Sequence, residues 1–350
     1  MASEPVTPLL GSESVFMDSG AFSLYAINVG KSQGQAGREG YAEVSAKRRG
    51  GEKLDKAQLR WGAGDYSYFN LAKGSEFRRY CDKYASFIRR FEGRDITFAT
   101  VDAIRHPELS WTVQKYFEEE HGLYPVPVVH GGTPLRYLHR YLEEPKKYPM
   151  VGLGGLAGGM RPFIEWVDAA FYDICPQSNK YLPIVKVHGF AVTSWEYMIR
   201  WPWWSVDSTS WIKYAAYGWI LVPPWGEGKF RYDLPPLQLN MSRKPTPRMH
   251  RSLRAKGKSP RQQKDNHYDN TSNLVQEQTD RWIAHLKIPM GAFAEDEIIE
   301  DGVSSSFRSR AIVNLHYFKN LEESMPLWPV PLNRELIRQH SVLYHRGFGL

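Results

Sequence analysis

Short apolar runs alternate with amphipathic stretches along the chain, and most of the runs end in polar or glycine-rich residues. Apolar runs of about four to eight residues predict buried strands, and apolar positions at spacings of three and four predict helices. Strands are predicted at residues 15–22, 96–101, 126–129, 150–153, 184–187, 205–206, 219–222 and 311–318. Helices are predicted at residues 77–91, 111–121, 134–142, 162–174, 195–200, 212–217 and 276–286.

The alternation of strands and helices predicts an α/β fold with right-handed crossovers and a parallel sheet. Polar residues follow so many successive strands that a TIM-type (β/α)8 barrel is favoured, because all its strands end on one functional face. A doubly wound sheet is the alternative, and it gathers only the residues near its switch point. The 350 residues suffice for one such barrel, with a reduced or rearranged N-terminal part and a basic insertion.

Composition divides the chain into three predicted segments. Residues 1–240 are expected to form the barrel, with residues 28–66 as a loop or lid rich in Gly, Lys, Arg and Gln. Residues 241–275 are expected to be a basic mobile segment. Residues 276–350 are expected to be a C-terminal extension that packs on the barrel.

Positive charge is concentrated in one part of the chain. The formal net charge is +7, and residues 241–264 contain nine basic residues and no Asp or Glu. Such a one-sided run favours contact with the phosphates of a polyanion, and a solvated linker is the alternative. The predicted nucleic-acid contacts are Arg243, Lys244, Arg248, Arg251, Arg254, Lys256, Lys258, Arg261 and Lys264.

Several features argue against other classes of protein. The chain has no apolar run of about 18 residues, so no membrane span is predicted. Its first residues lack the pattern of a signal peptide, and a cytoplasmic location is expected. The two cysteines, Cys81 and Cys175, are too few for a zinc site built from thiolates, so both are interpreted as reduced and structural. No metal and no cofactor are predicted.

Two acids follow predicted strands in similar settings. Asp18 stands before Ser19-Gly20, and Asp207 stands among small hydroxyl residues and tryptophans. One carboxylate can attack an electrophilic carbon while the other carries protons to and from the leaving group, as in two-carboxylate glycosyl transfer. Carboxylates that only accept backbone hydrogen bonds at a turn are the alternative.

A third acid, Asp102, follows the strand predicted at residues 96–101. Its two acceptor oxygens can take hydrogen bonds from the N1–H and the exocyclic amine of a guanine-like base. A salt bridge to Arg105 or a helix cap explains the same residue equally well.

Two glycine-rich runs can bring backbone close to a ligand. They are His130-Gly131-Gly132 and the run from Gly154 to Gly159, and glycine permits such close approach. Tight turns are the alternative. The spacing from Gly152 onward is similar to a dinucleotide fingerprint, but the acid expected about 20 residues later is missing. Phe22 can stack on a planar base, although a phenylalanine beside a strand is also a common core residue.

Six motifs, taken in chain order, resemble those of the tRNA-guanine transglycosylase superfamily. They cover residues 15–211 and are Asp18-Ser19-Gly20-Ala21-Phe22, Asp102, Val129-His130-Gly131-Gly132, Gly154-Gly155-Leu156-Ala157-Gly158-Gly159, His188-Gly189-Phe190-Ala191 and Val206-Asp207-Ser208-Thr209-Ser210-Trp211. The zinc ligands of that family are absent, its archaeal RNA-binding C-terminal module is not recognisable, and His130 replaces a glutamine. The His-Gly-Phe and Asp-Ser-x-x-Trp variants resemble most closely the DpdA-like branch, including its phage members, which modifies DNA.

The resemblance implies a role for each matched residue. Asp207 is expected to attack the sugar C1′, and Asp18 is expected to act as general acid and base. The base is expected to be bound by Phe22, Asp102, His130, Gly131, Gly155, Leu156 and His188, with Phe22 stacking on it and His188 as a partner on its other face.

The activity implied in this way is exchange of guanine in DNA for a free 7-deazaguanine base, such as 7-cyano-7-deazaguanine. The same chemistry on tRNA is one alternative, and a non-catalytic barrel that binds nucleic acid is another. The target base has to leave the stack, so duplex DNA has to be distorted or melted.

Overall fold

The computed structural model describes residues 15–17, 68–104, 106–156, 163–242, 266–294 and 297–337. The chain divides into two compact units. The first comprises Met1–Phe190, Trp201–Ser205 and Pro331–Leu350, and the second comprises Ala191–Arg200 and Val206–Val330. These divisions fall at other positions than the predicted segment boundaries. Residues 276–330 of the predicted extension belong to the second unit, and residues 331–337 belong to the first.

Strands and helices alternate in the first unit, so the predicted α/β class is confirmed. Its strands are β1 (Val15–Met17), β2 (Ile96–Phe98), β3 (Val128–His130), β4 (Met150–Gly154) and β5 (Lys186–Gly189), and β6 (Ser205–Val206) lies at its boundary. Its helices are α1 (Glu76–Arg89), α2 (Pro107–His121), α3 (Arg136–Leu142) and α4 (Ile164–Ile174).

The strands of the first unit follow one another in chain order. β1 pairs in parallel with β2, a parallel bridge joins Ala99 to Val126, and β3, β4 and β5 pair in parallel. β6 lies next to β5. In contrast to a doubly wound sheet, this order does not reverse within the described strands.

The sheet of the first unit is strongly curved. β1 and β5 are four strands apart, which is ~19 Å in a flat sheet with the usual spacing between strands. Nevertheless the ring of Phe16 in β1 stacks on that of His188 in β5, with centroids 4.0 Å apart and planes at 10°. The two side chains are too short to span a flat sheet, so the sheet curls until β1 faces β5.

Helix α1 packs against Phe98 of β2, because its apolar positions recur at spacings of three and four and form one face. The side chains of Phe77, Cys81, Tyr84 and Ile88 are buried, and the helix starts at Ser75, whose hydroxyl accepts from the Arg78 amide at 3.1 Å. Both Cys81 and Cys175 are free and buried, and burial raises the pKa of each thiol to about 12. The two cysteines therefore stay protonated and serve as core residues.

The second unit contains both helices and short antiparallel strands. Its helices are α5 (Trp195–Arg200), α6 (Ser210–Ala216), α7 (Asn273–His285) and α8 (Phe307–Ser324). Its strands are β7 (Trp219–Val222), β8 (Trp225–Gly226), β9 (Lys229–Phe230), β10 (Leu237–Asn240), β11 (Ala292–Ala294) and β12 (Glu297–Glu300). β7 pairs with β10, β8 with β9 and β11 with β12, all antiparallel, and α8 packs on α6 and β7.

The strand predicted at residues 311–318 is wrong, because these residues lie within helix α8. Ala311, Val313 and Tyr317 are buried apolar residues of this run. The buried set of α8 also includes Asn314 and Leu321, and the spacing of three and four among these residues is that of a helix. The helix starts at Ser306, whose hydroxyl accepts from the Ser309 amide at 3.4 Å. In the part of the chain that the structure describes, no helix is long and apolar enough to cross a membrane.

Candidate functional site

A buried carboxylate and a buried imidazole form a pair at the carboxyl ends of neighbouring strands. Asp102 Oδ2 lies 2.6 Å from His130 Nε2, and the two side chains are 9% and 4% exposed. A carboxylate only accepts hydrogen bonds, so Nε2 carries the hydrogen of this contact. Within the described residues, Asp102 Oδ1 accepts no hydrogen bond. Asp102 Oδ1 and His130 Nδ1 are therefore available for contacts outside the pair.

The backbone around the pair is fixed by the parallel sheet. The Thr100 amide donates to the Val126 carbonyl at 2.9 Å, which holds the segment before Asp102 beside the one before β3. The His130 carbonyl accepts from the Thr133 hydroxyl at 2.8 Å, and the Gly131 amide donates to the Gly154 carbonyl at 2.9 Å. Parallel strands end at the same edge of a sheet, which is why residues far apart in sequence meet here.

Asp102 does not cap the helix that follows it. The N-cap of α2 is His106, whose Nδ1 accepts from the Leu109 amide at 3.2 Å. The cap interpretation of Asp102 is therefore wrong. Arg105, the partner in the other structural interpretation, lies outside the described residues.

Glycines form the wall beside His130. Gly155 has φ +68, and a Cβ there would lie 3.1 Å from His130 Cδ2. A Cβ at Gly131 would lie 2.7 Å from Cδ2 of Leu156, whose side chain is buried. Side chains at these positions would displace either His130 or its surroundings. Gly131, Gly155 and Leu156 thus lie next to the pair, and their predicted contact with a base stays a prediction.

Gly155→Ala is expected to destabilise the first unit by about 2 kcal/mol, of which ~1 kcal/mol is the cost of a left-handed alanine. The remainder comes from the contact with the His130 ring. Gly93→Ala is the matched control, because Gly93 also has a positive φ, +79, but nothing lies within 4 Å of its added Cβ. Urea denaturation of both variants measures the difference. If both variants lost the same free energy of unfolding, the His130 ring would move away from the added methyl group without cost.

His188 lies on the same face of the sheet as His130. Gly152 is in register with Val128 on one side and with His188 on the other, and His130 follows Val128 by two residues. His188 is buried, and its Nδ1 lies 2.8 Å from Ser205 Oγ.

Two phenylalanine rings contact the imidazole of His188. Phe16 covers one face of the imidazole, and the Phe190 ring stands at 78° with its centroid 4.5 Å away. A base cannot stack on the face that Phe16 occupies. One face of His188 is therefore covered, and its predicted role as a stacking partner stays a prediction.

Asp207 lies in the second unit and its side chain is exposed. Its Oδ1 accepts from the Ala191 amide at 2.8 Å. Ala191 has φ 61, a left-handed conformation that costs an alanine about 1 kcal/mol or more, so this hydrogen bond steadies a strained turn. The N-cap of α6 is Thr209, and the Ser208 hydroxyl accepts from the Ser210 amide at 2.9 Å.

Other predicted site residues lie outside the described residues. They are Asp18, Phe22 and the basic set Arg243, Lys244, Arg248, Arg251, Arg254, Lys256, Lys258, Arg261 and Lys264. Their predicted roles stay predictions. Among the described residues, no group of three or more His, Cys, Asp and Glu side chains is arranged to hold a metal ion.

Sequence reasoning assigned no role to Phe16, Phe190 or Ser205, which surround His188. The signal for Phe190 was present, since it follows His188 by two residues and therefore points to the same face of β5. Phe16 and Ser205 come from strands distant in sequence, and no local pattern connects them to His188.

The immediate surroundings of His130 are closely packed. A void of about 10 Å³ lies between His130, Val128, Tyr137 and Tyr141. Such a space holds about one water molecule. This void is too small for a purine base.

Comparison with known proteins found no protein-family model, no curated protein and no solved structure that matches the chain. The resemblance to the transglycosylases therefore rests on the sequence motifs alone.

Proposed function

We propose that the chain is a base-exchange glycosyltransferase that replaces guanine in DNA by a 7-deazaguanine. The observation that carries the proposal is the buried pair of Asp102 and His130 at the carboxyl ends of parallel strands. Buried titratable groups at such ends are a frequent feature of binding and catalytic sites.

The chemistry of the pair suits the edge of a guanine-like base. Such an edge presents two donors, N1–H and the exocyclic amine, next to the O6 acceptor. Asp102 Oδ1 supplies an acceptor, and the bond from His130 keeps the carboxylate in place at 2.6 Å. Adenine presents an acceptor at N1, which a carboxylate repels. The 7-deazaguanines keep the donor edge of guanine, so one site can accept both the leaving and the incoming base.

The order and curvature of the strands support a (β/α)8 barrel as the fold behind this site. β1 to β6 follow one another in chain order, and the contact between Phe16 and His188 requires a rolled sheet. In a barrel the residues after successive strands converge on one end, where the active sites of this fold lie.

The bond changes assign one role to each of two acids. A carboxylate oxygen of Asp207 attacks the sugar C1′ and the C1′–N9 bond breaks, while Asp18 in its acid form protonates the departing guanine. The incoming 7-deazaguanine then gives its N9 proton to the Asp18 carboxylate and attacks C1′, which releases Asp207. The exchange balances without an oxidant or reductant.

A polymeric substrate is consistent with the charge of the chain. Nine basic residues without an acid between residues 241 and 264 can neutralise phosphates, and the target base has to leave the stack to reach a pocket. Replacing these residues by neutral ones is therefore expected to flatten the salt dependence of DNA binding.

The proposal is tested by incubating the protein with radiolabelled guanine or a 7-deazaguanine and with either DNA or tRNA. Label is expected to enter DNA. Incorporation of label into tRNA alone would show that the same exchange acts on tRNA and not on DNA. Binding of nucleic acid without any incorporation would make the protein a non-catalytic binding module and contradict the enzyme.

A substitution in the Asp102–His130 pair tests the role of Asp102 in the same assay. Asp102→Asn is expected to reduce exchange at least tenfold, since it replaces an acceptor oxygen by a donor opposite the donors of the base. Asp173→Asn is the matched control, because Asp173 pairs with His139 at 2.8 Å on the exposed surface of α3 and α4. Equal activity in both variants would remove the base-reading role of Asp102.

A further inference from the structure

A cavity lies at the opposite ends of the strands from the Asp102–His130 pair. Its volume is about 390 Å³. Its wall includes Ile96, Met150 and Lys186, the first residues of β2, β4 and β5, and Trp204, which precedes β6. His130 and Gly154 are the last residues of β3 and β4. The cavity and the candidate site therefore occupy different ends of one sheet.

The wall of this cavity is suited to a flat apolar group. Tyr124, Tyr148 and Trp204 contribute aromatic rings, and Pro125, Pro127 and Pro149 contribute rigid backbone without amide donors. Small-molecule sites commonly measure about 300–1,000 Å³ and combine an apolar wall with few polar groups. The cavity falls in this range.

The charge of the wall is positive. Its lining includes two ammonium groups, Lys147 and Lys186, and no carboxylate. Lys147 is neutralised from outside the cavity, since its Nζ lies 2.9 Å from Glu118 Oε2, and this hydrogen bond raises the pKa of Lys147.

Lys186 differs from Lys147 in its surroundings. Its Nζ lies 4.3 Å from the centroid of the Trp204 ring, and none of the described carboxylates forms an ion pair with it. The indole face attracts the cation but does not neutralise it. The ammonium group at the wall therefore favours an anionic ligand.

We propose that this cavity is a second ligand site, which binds a planar aromatic anion with its charge at Lys186 and its ring among Tyr124, Tyr148 and Trp204. The ligand chemistry is a flat ring that carries a carboxylate or a phosphate. Aromatic carboxylates and nucleoside monophosphates both offer it.

Isothermal titration calorimetry of the full chain separates these sources. The probes are indole-3-acetate and guanosine 5′-monophosphate, with uncharged indole and guanosine as controls. Saturable binding of the charged members, at least tenfold tighter than that of the uncharged ones, is expected. Binding of one charged probe alone assigns the anion as carboxylate or phosphate. Saturable binding of neither charged probe overturns the proposal.

Variants decide whether the binding occurs at Lys186. Lys186→Gln is expected to weaken binding at least tenfold, and Lys186→Arg is expected to stay within about threefold of the unmodified chain. Lys83→Gln, an exposed lysine of α1, is the matched control and should bind normally. Thermal melting of each variant checks that the fold is intact.

Asp102→Asn distinguishes the two ends of the sheet. It is expected to leave binding of indole-3-acetate unchanged, because Asp102 does not line the cavity. Loss of guanosine monophosphate binding in Asp102→Asn but not in Lys186→Gln would place that ligand at the candidate base site and overturn the second site for phosphates. Equal binding by Lys186→Gln and the unmodified chain would overturn it altogether.

Discussion

Asp207→Asn is expected to abolish base exchange while the second unit stays folded. The amide cannot attack the sugar C1′, so the loss should be on the order of 10³-fold or more, as for other covalent nucleophiles. Its oxygen still accepts the Ala191 N–H, which is 2.8 Å from Asp207 Oδ1 in the native chain. The substitution therefore removes the chemistry and keeps the hydrogen bond that steadies the turn at Ala191.

Asp207→Ala separates these two effects. It removes the nucleophile and the acceptor together, so it should also lower the stability by about 1–2 kcal/mol. Adding Ala191→Gly should restore part of this loss, because glycine adopts the φ of 61 without strain.

The measurements are incorporation of labelled base, trapping of a covalent DNA adduct, and thermal melting. Glu277→Gln is the control, since this exposed acid of α7 pairs only with Arg281 four residues on, at 3.2 Å, among the described residues. It should exchange bases normally. Exchange that persists in Asp207→Asn would reassign Asp207 as a residue that only supports the turn at Ala191.

Part of the Asp102–His130 pair could be predicted from the sequence. Each residue was predicted at the end of a strand, and neighbouring parallel strands bring their carboxyl ends together. The sequence could not predict that the two side chains contact each other at 2.6 Å, because strand register depends on backbone pairs such as Ala99 with Val126. The prediction of two separate base readers therefore becomes one coupled pair.

Contacts between residues distant in sequence could not be predicted from local patterns. The contact of Phe16 with His188 depends on the curvature of five strands, which no periodicity of one segment encodes. The strand predicted at residues 311–318 failed because β-branched and aromatic residues there satisfy a period of two as well as the helical period. Packing of α8 on α6 and β7 settles that ambiguity, and this packing is a tertiary effect.

Asn314→Ala is expected to destabilise the second unit by about 3–5 kcal/mol, a large part of the stability of a typical domain. Asn314 is fully buried in α8. Its Oδ1 accepts from the Leu221 amide at 2.8 Å, and its Nδ2 donates to the carbonyls of Trp211 and Trp219 at 3.0 and 3.2 Å. Alanine removes the side-chain partner of all three backbone groups and leaves the buried Leu221 N–H without the acceptor that Asn314 supplies.

The geometry of β7 explains why one amide has this effect. β10 pairs with one edge of β7. The Leu221 N–H and the Trp219 carbonyl point to the other edge, since these groups of residues two apart in a strand face the same way. The Asn314 amide offers one acceptor and one donor to that edge and so substitutes for a neighbouring strand. A smaller hydroxyl side chain cannot contact all three groups, so Asn314→Ser should recover little of the loss.

Hydrogen exchange is the sharpest measurement, because a chain with two units need not unfold in one transition. The Leu221 amide should lose protection in Asn314→Ala, and urea denaturation should report the loss in free energy of the second unit. Asn320→Ala is the matched control on the same helix, since the Asn320 amide donates only to Tyr232 Oη, at 3.1 Å, among the described residues. Its cost should stay near 1 kcal/mol, the typical worth of one hydrogen bond. If Asn314→Ala destabilised the second unit as little as Asn320→Ala, water would have to satisfy the backbone groups at the edge of β7. Asn314 would then not substitute for a neighbouring strand.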